Sequence, residues 1–348
     1  MKKIKIGDRL VGHGELTFII AEVGVNHDGK LTRAKELIEI AVDAGADAVK
    51  FQTFIPEEIV VEKAPKAAYQ KVTTDAKQSQ LDMLRDVSLS FNDFVILKNY
   101  CDDKGITFLS TPFDLKSINF LAELGVAAIK VTSTDTNNLP ALKHIASMNL
   151  PVILSTGMST LGEIEAAVDT IYSTGNDQVA ILHCTSNYPT LPEDCNLRSM
   201  HTIAQAFQTV VGYSDHSLGI EVSIGAVALG ASIIEKHFTI DKSLPGPDHQ
   251  ASLNPDELRS LVKAIRNIEK ALGDGIKKPV QRELEVKNAA RKSIVALVDI
   301  PPGTDITTDM LAMKRPGTGI EPKYIDLIIG RKAKRKIEKN ELISWDCI

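Results

Sequence analysis

The sequence lacks the features that would place it in several common classes. Its four cysteines, Cys101, Cys184, Cys195 and Cys347, are too few and too scattered for a disulfide framework or a zinc knuckle. Reduced thiols in a cytoplasmic protein are the expectation they leave. Cys184 follows His183, but neighbours along a strand point to opposite faces, so no thiolate–imidazole dyad is expected there. No apolar run approaches the roughly 20 residues that span a bilayer. Met1-Lys2-Lys3-Ile4-Lys5 is basic without an apolar segment behind it, so no secretory signal is visible and no membrane partner is expected. An excess of positive charge is missing too. The formal net charge of −5 makes nucleic acid a poor default partner, while a local basic pocket could still meet an anionic ligand. No Gly-x-Gly-x-x-Gly follows the first strand-like segment, which weighs against a dinucleotide fold, and nothing resembles the phosphate loop Gly-x-x-x-x-Gly-Lys-Ser/Thr.

What the chain does contain is an ordinary globular composition, 43% apolar and 24% charged over 348 residues. At about 150 residues per domain this means roughly two domains, although an α/β barrel occupies about 250 as one unit. Short apolar runs alternate with amphipathic stretches. The candidate strands are Thr17–Val23, Ala46–Gln52, Ile106–Ser110, Ala127–Val131, Pro151–Ser155, Val179–Cys184, Thr209–Tyr213 and Ser232–His237. Between them, Leu31, Ala34, Leu37, Ile38 and Ala41 share one helical face, and Leu161, Ile164, Ala167, Val168 and Ile171 another. A last helix opens at Asn254-Pro255-Asp256-Glu257, an N-cap with a capping-box partner, and its apolar stripe runs Leu258, Leu261, Val262, Ile265, Ile268, Leu272. Eight such units predict a parallel (β/α)8 barrel, with a doubly wound open sheet as the alternative. The longest insertion, about 54–89, follows the second strand, on the side where barrel enzymes elaborate their mouths.

The pattern changes after Leu272. Residues 1–272 read as the barrel and 273–290 as a polar linker with turn residues. Residues 291–348 read as a small module with a strand at Ser293–Val298, a Pro301-Pro302-Gly303 turn, Arg315-Pro316-Gly317 and a final Glu341–Trp345 run. At this size the module is marginal alone, so it is expected to lean on the barrel or on a second subunit.

Barrel enzymes build their sites from residues at the carboxyl ends of the strands. Here those ends carry, in order, Glu22; Lys50 and Gln52; Ser110-Thr111; Lys130 and Ser133; Ser155-Thr156; His183, Ser186 and Tyr188; Asp215-His216; Glu235 and His237. Eight in succession are hard to assign to helix capping alone. His216 and His237 end consecutive strands, so their rings could converge within metal-ligand range and leave coordination positions open. Two hydrogen-bonded histidines at a barrel mouth would satisfy the same spacing. Lys50 and Lys130 sit in strands between apolar neighbours, where an unpaired ammonium is costly. With Ser110, Thr111, Ser133 and Ser155 along the same rim, the two ammonium groups suit a phosphate plus a carboxylate.

The segments Ala21-Glu22-Val23-Gly24-Val25-Asn26-His27-Asp28-Gly29, Lys50-Phe51-Gln52-Thr53, Ser110-Thr111-Pro112-Phe113-Asp114, Ser155-Thr156-Gly157-Met158, Tyr213-Ser214-Asp215-His216, Glu235-Lys236-His237-Phe238-Thr239 and Gly246-Pro247-Asp248-His249 together resemble the sialic acid (nonulosonate) synthase family. The tail, with Lys314-Arg315-Pro316-Gly317-Thr318-Gly319-Ile320, is similar to that family's antifreeze-like (SAF) domain of β-clip type. The resemblance implies a (β/α)8 (TIM) barrel that condenses phosphoenolpyruvate with an N-acylated mannosamine-type sugar to give N-acetylneuraminate or legionaminate plus phosphate. It implies that His216 and His237 hold a divalent ion, Mn2+ or Mg2+. Lys50 would meet the carboxylate of phosphoenolpyruvate, and Lys130, Thr111, Ser133 and Ser155, with Ser186 nearby, its phosphate. Gln52, Tyr188 and Asp248 would orient the sugar. Arg315 would reach its N-acyl group from a partner subunit in a domain-swapped homodimer, and Glu22, Asp135 and Glu235 are the implied acids and bases.

The sequence departs from the family pattern in two places. Ser133-Thr134-Asp135 stands where the pattern is Ser-Gly-Glu, with a shorter acid and a stiffer turn, and Ser186 stands where some members have asparagine. Both bear on acceptor choice more than on reaction type. The segment Ala64-Pro65-Lys66-Ala67-Ala68-Tyr69-Gln70 and Gly246-Pro247-Asp248-His249-Gln250 are similar to the N-acetylneuraminate and legionaminate branches rather than to the pseudaminate branch. Two other functions fit parts of the pattern: a Schiff-base aldolase using Lys50 or Lys130, and a non-catalytic sugar- or ice-binding protein.

Overall fold

Regular structure begins with a feature that the strand pattern did not mark, an antiparallel hairpin of β1 (Lys3–Ile6) and β2 (Arg9–Gly12). Its alternation is short but strict: Ile4, Ile6 and Val11 are buried while Lys3 and Lys5 face water. In the computed structural model, which describes residues 2–66, 70, 74, 75 and 77–348, the eight expected strands follow in order. They are β3 (Phe18–Gly24), β4 (Ala48–Thr53), β5 (Thr107–Pro112), β6 (Ile129–Val131), β7 (Val152–Ser155), β8 (Val179–Cys184), β9 (Val210–Asp215) and β10 (Ile233–His237). All their pairings are parallel, and β10 bonds back to β3, so the sheet is a closed barrel. The open-sheet alternative is thereby excluded. Of the segment similar to the neuraminate and legionaminate branches, Ala67–Tyr69 lie outside the described residues.

Two apolar sets separate by strand parity. Phe18, Ile20, Ala48, Leu109, Ala128, Ile153, Ala180, Leu182, Val210 and Ile233 point into the barrel and pack on Ile4, Ile6 and Val11, so the hairpin floors its amino-terminal end. The alternate residues, among them Ile19, Val49, Phe51, Phe108, Val152, Ile181 and Ile234, face outward and meet the helices. Gly212 is inward-facing and has no room for a side chain, because a Cβ there would lie 2.7 Å from Leu182. The helix Pro255–Leu272 carries the expected capping box and buries Leu258, Leu261, Val262 and Ile265. Leu272 and Leu161, both expected on buried stripes, are instead 54% and 45% exposed, one being the last residue of its helix and the other the first.

The chain divides into two compact units, residues 1–273 and 274–348. In the second, a short helix (Leu284–Ala290) occupies part of the stretch expected as linker, and its Asn288 carbonyl accepts from the Gly317 N–H at 2.7 Å. β11 (Ser293–Ala296) pairs antiparallel with β12 (Leu311–Lys314), and Ile294, Ile300, Ile306, Ile328, Ile337 and Ile343 form a separate core.

The floor is expected to be energetically substantial. Ile6→Ala, at a fully buried position, should lower unfolding free energy by about 2–5 kcal/mol in urea titrations followed by circular dichroism.

Candidate active site

Moving up the barrel interior from the apolar floor, the same inward parity turns from hydrocarbon to charge. Glu22 on β3, Lys50 on β4, Thr111 on β5, Lys130 on β6, Ser155 on β7, Ser214 on β9 and Glu235 on β10 occupy one layer, every one of them buried. Lys50 Nζ lies 2.8 Å from Glu22 Oε2, out of hydrogen-bond alignment, and 3.7 Å from Glu235 Oε2, and it donates to Thr111 Oγ1 at 2.8 Å. Lys130 Nζ donates to Ser155 Oγ at 2.6 Å and lies 3.5 Å from Glu235 Oε1, which also accepts from Ser214 Oγ at 3.0 Å.

Burial and mutual charge set the two carboxylates apart. Desolvation pushes the Glu22 carboxyl up to about 7, against the pull of Lys50. Burial acts on Glu235 in the same sense, but Lys130 and Lys50 outweigh it and hold that carboxyl well below the usual range. Lys50 is raised, since Glu22 and Glu235 overcome its desolvation, whereas burial prevails at Lys130 and lowers it.

One step higher are the two imidazoles. His216 and His237 have ring centroids 5.8 Å apart, and Tyr188 lies against both, 4.2 Å from the first ring and 6.0 Å from the second. Desolvation lowers both histidine pKa values, most strongly at His237, so both rings are neutral. His216 Nδ1 donates to the Thr185 carbonyl at 2.7 Å, which leaves Nε2 as a lone-pair donor. His237 Nδ1 is buried without a hydrogen bond, 4.0 Å from Asp248 Oδ2. Gly24 closes this corner: a Cβ on it would lie within 3.2–3.4 Å of His237, Gln52 and Glu22.

Two neutral imidazoles, one with an orphaned nitrogen, fit a divalent cation with open positions. Among the described residues no set of three or more His, Cys, Asp or Glu side chains is arranged to chelate a metal, so any ion would take its remaining ligands from water or substrate.

On the opposite wall, Ser133 Oγ accepts from the Gly157 N–H at 2.9 Å and lies 3.1 Å from Cys184 Sγ. A Cβ on Gly157 would collide with Ser186 Oγ and crowd Ser133 and Cys184, so the missing side chain makes a hydroxyl-lined hollow.

Three strand-end residues point the other way. Ser110 bonds Thr53 at 2.7 Å, His183 bonds the Cys195 carbonyl at 2.8 Å, and Asp215 pairs with Lys236, all in the outer layer. Asp135 accepts from Asn138 Nδ2 at 3.0 Å, lines a cavity with Phe113, Ile118 and Ile145, and makes no bond to the Glu22–Lys50–Glu235 cluster. Arg315 belongs to the second unit, exposed in the turn after β12. Ser214 and Cys184, neither among the candidate strand-end residues, also face inward, Cys184 on the parity of Leu182 and His183 away from it as alternation requires.

The fold and this interior define a (β/α)8 barrel with two lysines, two carboxylates and two imidazoles toward its carboxyl-terminal mouth, followed by a small β module. Sequence comparison makes the class specific. The profile of the NeuB family matches residues 37–277 and that of the SAF domain residues 291–348, and the chain belongs to the NeuB family. It is 46% identical over 341 residues to the N,N'-diacetyllegionaminic acid synthase of Legionella pneumophila, covering 97% of this chain and 96% of the other. It is 47% identical over 329 residues to the enzyme of that name from Campylobacter jejuni, covering 94% and 98%. The crystal structure of an N-acetylneuraminic acid (sialic acid) synthetase from Leptospira borgpetersenii in complex with citrate superposes with a TM-score of 0.74 at 37% identity, covering 82% of this chain and 95% of that one.

The Glu22 environment has a pH signature. Its pKa is about 7 in the folded protein against 4.5 in the open chain, so folding takes up a proton in that window and stability falls as pH rises through it. Urea midpoints of the wild type should decline more steeply from pH 4.5 to 7 than those of Glu22→Gln. Parallel profiles would show that Glu22 titrates like an exposed carboxylate.

Proposed function

We propose that this protein is a nonulosonic acid synthase joining phosphoenolpyruvate to an N-acylated mannosamine-type sugar, either N-acetylmannosamine or its 2,4-diacetamido-2,4,6-trideoxy analogue. The observation that carries the reading is the lysine–carboxylate layer directly beneath two neutral imidazoles. Family membership and the legionaminic acid synthases among the relatives support the nine-carbon product.

In this reading Lys50, held as an ammonium by Glu22 and Glu235, binds the carboxylate of phosphoenolpyruvate. Lys130, Thr111, Ser155, Ser133 and Ser186 take its phosphate. Gln52, Tyr188 and Asp248 orient the open-chain sugar, whose aldehyde faces His216 and His237. A divalent ion on those two rings, Mn2+ or Mg2+, would polarise the aldehyde as a Lewis acid. The new bond forms between C3 of phosphoenolpyruvate and the aldehyde carbon, leaving C2 electron-poor, and the former aldehyde oxygen takes up a proton that the added water then replaces. Water adds at C2, and phosphate departs with its bridging oxygen by C–O cleavage. Glu22, poised near neutrality, is the group suited to move the proton of that water, while Glu235 stays ionised and fixes both lysines. Holding both substrates in one narrow interior supplies the orientation that a bimolecular step lacks in solution. The metal reading is preferred to a Schiff base at Lys50 because Glu22 and Glu235 raise that ammonium's pKa and so oppose the neutral amine a nucleophile needs.

Phosphate release from phosphoenolpyruvate with each of the two sugars, with and without chelator, tests the reaction. Release is expected with at least one sugar, lost on chelation and at least about a hundredfold lower in His216→Ala, a drop of about 2.7 kcal/mol in transition-state stabilisation. A borohydride-trapped covalent adduct with a keto acid would instead establish lysine catalysis. Arg315→Ala should raise the KM for the sugar at least tenfold with little change for phosphoenolpyruvate, because an arginine supplied by the partner subunit would touch only the acceptor. Equal changes for both substrates would remove it from that role.

A further inference from the structure

Behind the two imidazoles, on the outer face of the barrel wall, lies a charge pair that the proposed chemistry does not use. Asp215 and Lys236 are cross-strand partners on β9 and β10. Their side chains are 0% and 1% exposed, with Nζ 2.8 Å from Oδ2. Asp215 also accepts from the backbone N–H and hydroxyl of Ser217, at 2.9 and 2.6 Å, and from Ser223 Oγ at 2.6 Å. Lys236 donates a further bond to the Ser217 carbonyl at 2.6 Å. His216 is therefore held between two residues that are both tied to Lys236, and Lys236 itself precedes His237. The backbone of His216 is braced from the other side as well, its carbonyl accepting from the Thr190 N–H at 2.9 Å.

The surroundings make this pair an expensive choice. The layer between the barrel and the helices is built mainly of aliphatic and aromatic side chains, with few charged groups among them. A buried ion pair there adds little stability over an apolar replacement of similar volume, although removing one partner alone is strongly destabilising. Among the described residues no other ion pair outside the barrel interior has both side chains so completely buried. What the pair does supply is register and direction. It links the ends of β9 and β10 at the point where inward-facing ligands emerge, and alternation along each strand converts a fixed outer contact into a fixed inner one.

We propose that Asp215 and Lys236 are positioning residues that set the separation and orientation of His216 and His237 for a divalent cation. The proposal rests on the metal reading given above. Its test is Mn2+ binding to the full-length protein, read from the electron paramagnetic resonance signal of the free aqueous ion and so independent of turnover. Asp215→Asn and Lys236→Met are expected to bind Mn2+ about 10–100-fold more weakly than wild type, the loss typical when partners that orient metal ligands are removed. The deciding variant is the apolar double replacement D215L/K236M, which leaves no unpaired charge. Weaker Mn2+ binding in that variant, with its thermal midpoint held near the wild-type value, supports positioning, and wild-type affinity overturns it. Should the double variant not fold, Ser223→Ala removes a single hydroxyl from Asp215: several-fold weaker binding supports the inference and unchanged binding sinks it. If the wild type binds no more Mn2+ than His216→Ala, the metal reading itself fails and this inference falls with it, which is distinct from a wild type that binds and a double variant that binds equally well.

Discussion

The constraint on which the rest depends is the enclosure of two ammonium groups and two carboxylates inside a barrel. Lys50, Lys130, Glu22 and Glu235 are each at most 5% exposed, and charges so far from water are tolerable only when every one has a partner in reach. The architecture meets that demand by drawing the partners from different strands. β3 and β10 contribute the carboxylates, β4 and β6 the lysines, and β5, β7 and β9 the hydroxyls. No single element could assemble the layer, so barrel closure between β10 and β3 is a condition of the site as well as of the fold.

A division of labour runs along the barrel axis. Apolar side chains fill the amino-terminal half and the β1–β2 hairpin seals it. The carboxyl-terminal half gives up hydrocarbon for ionisable groups, and stability is surrendered there in return for chemistry. The same contrast separates the two carboxylates. Glu235, gripped by both lysines, is a fixed anion, whereas Glu22, dominated by desolvation, is free to change protonation near neutral pH. Two residues of one type thus acquire different capacities from position alone.

Much of this was legible in the primary structure because a parallel barrel writes each of its strands as a continuous apolar run, and all eight are where the alternation put them. The hairpin was missed because four-residue strands carry too few repeats to register. Within the site, residue type alone over-counted. Ser110, His183 and Asp215 stand at strand ends but on the outward parity, while Ser214 and Cys184, plain in sequence, are on the inward one. Parity within a strand would have sorted them. Asp135 is a different matter, since it sits after β6 in a 3-10 turn where alternation gives no direction, and only tertiary structure shows it bonded to Asn138.

The sealed floor has a kinetic corollary. With Ile4, Ile6 and Val11 stoppering one end, the interior is a blind well rather than a tunnel, and traffic must queue at a single opening. A molecule seated on Lys50 and Lys130 lies deeper than one facing His216 and His237. In the proposed condensation the guest on the lysines would arrive before the one at the imidazoles, and the freed phosphate would leave only after the joined product.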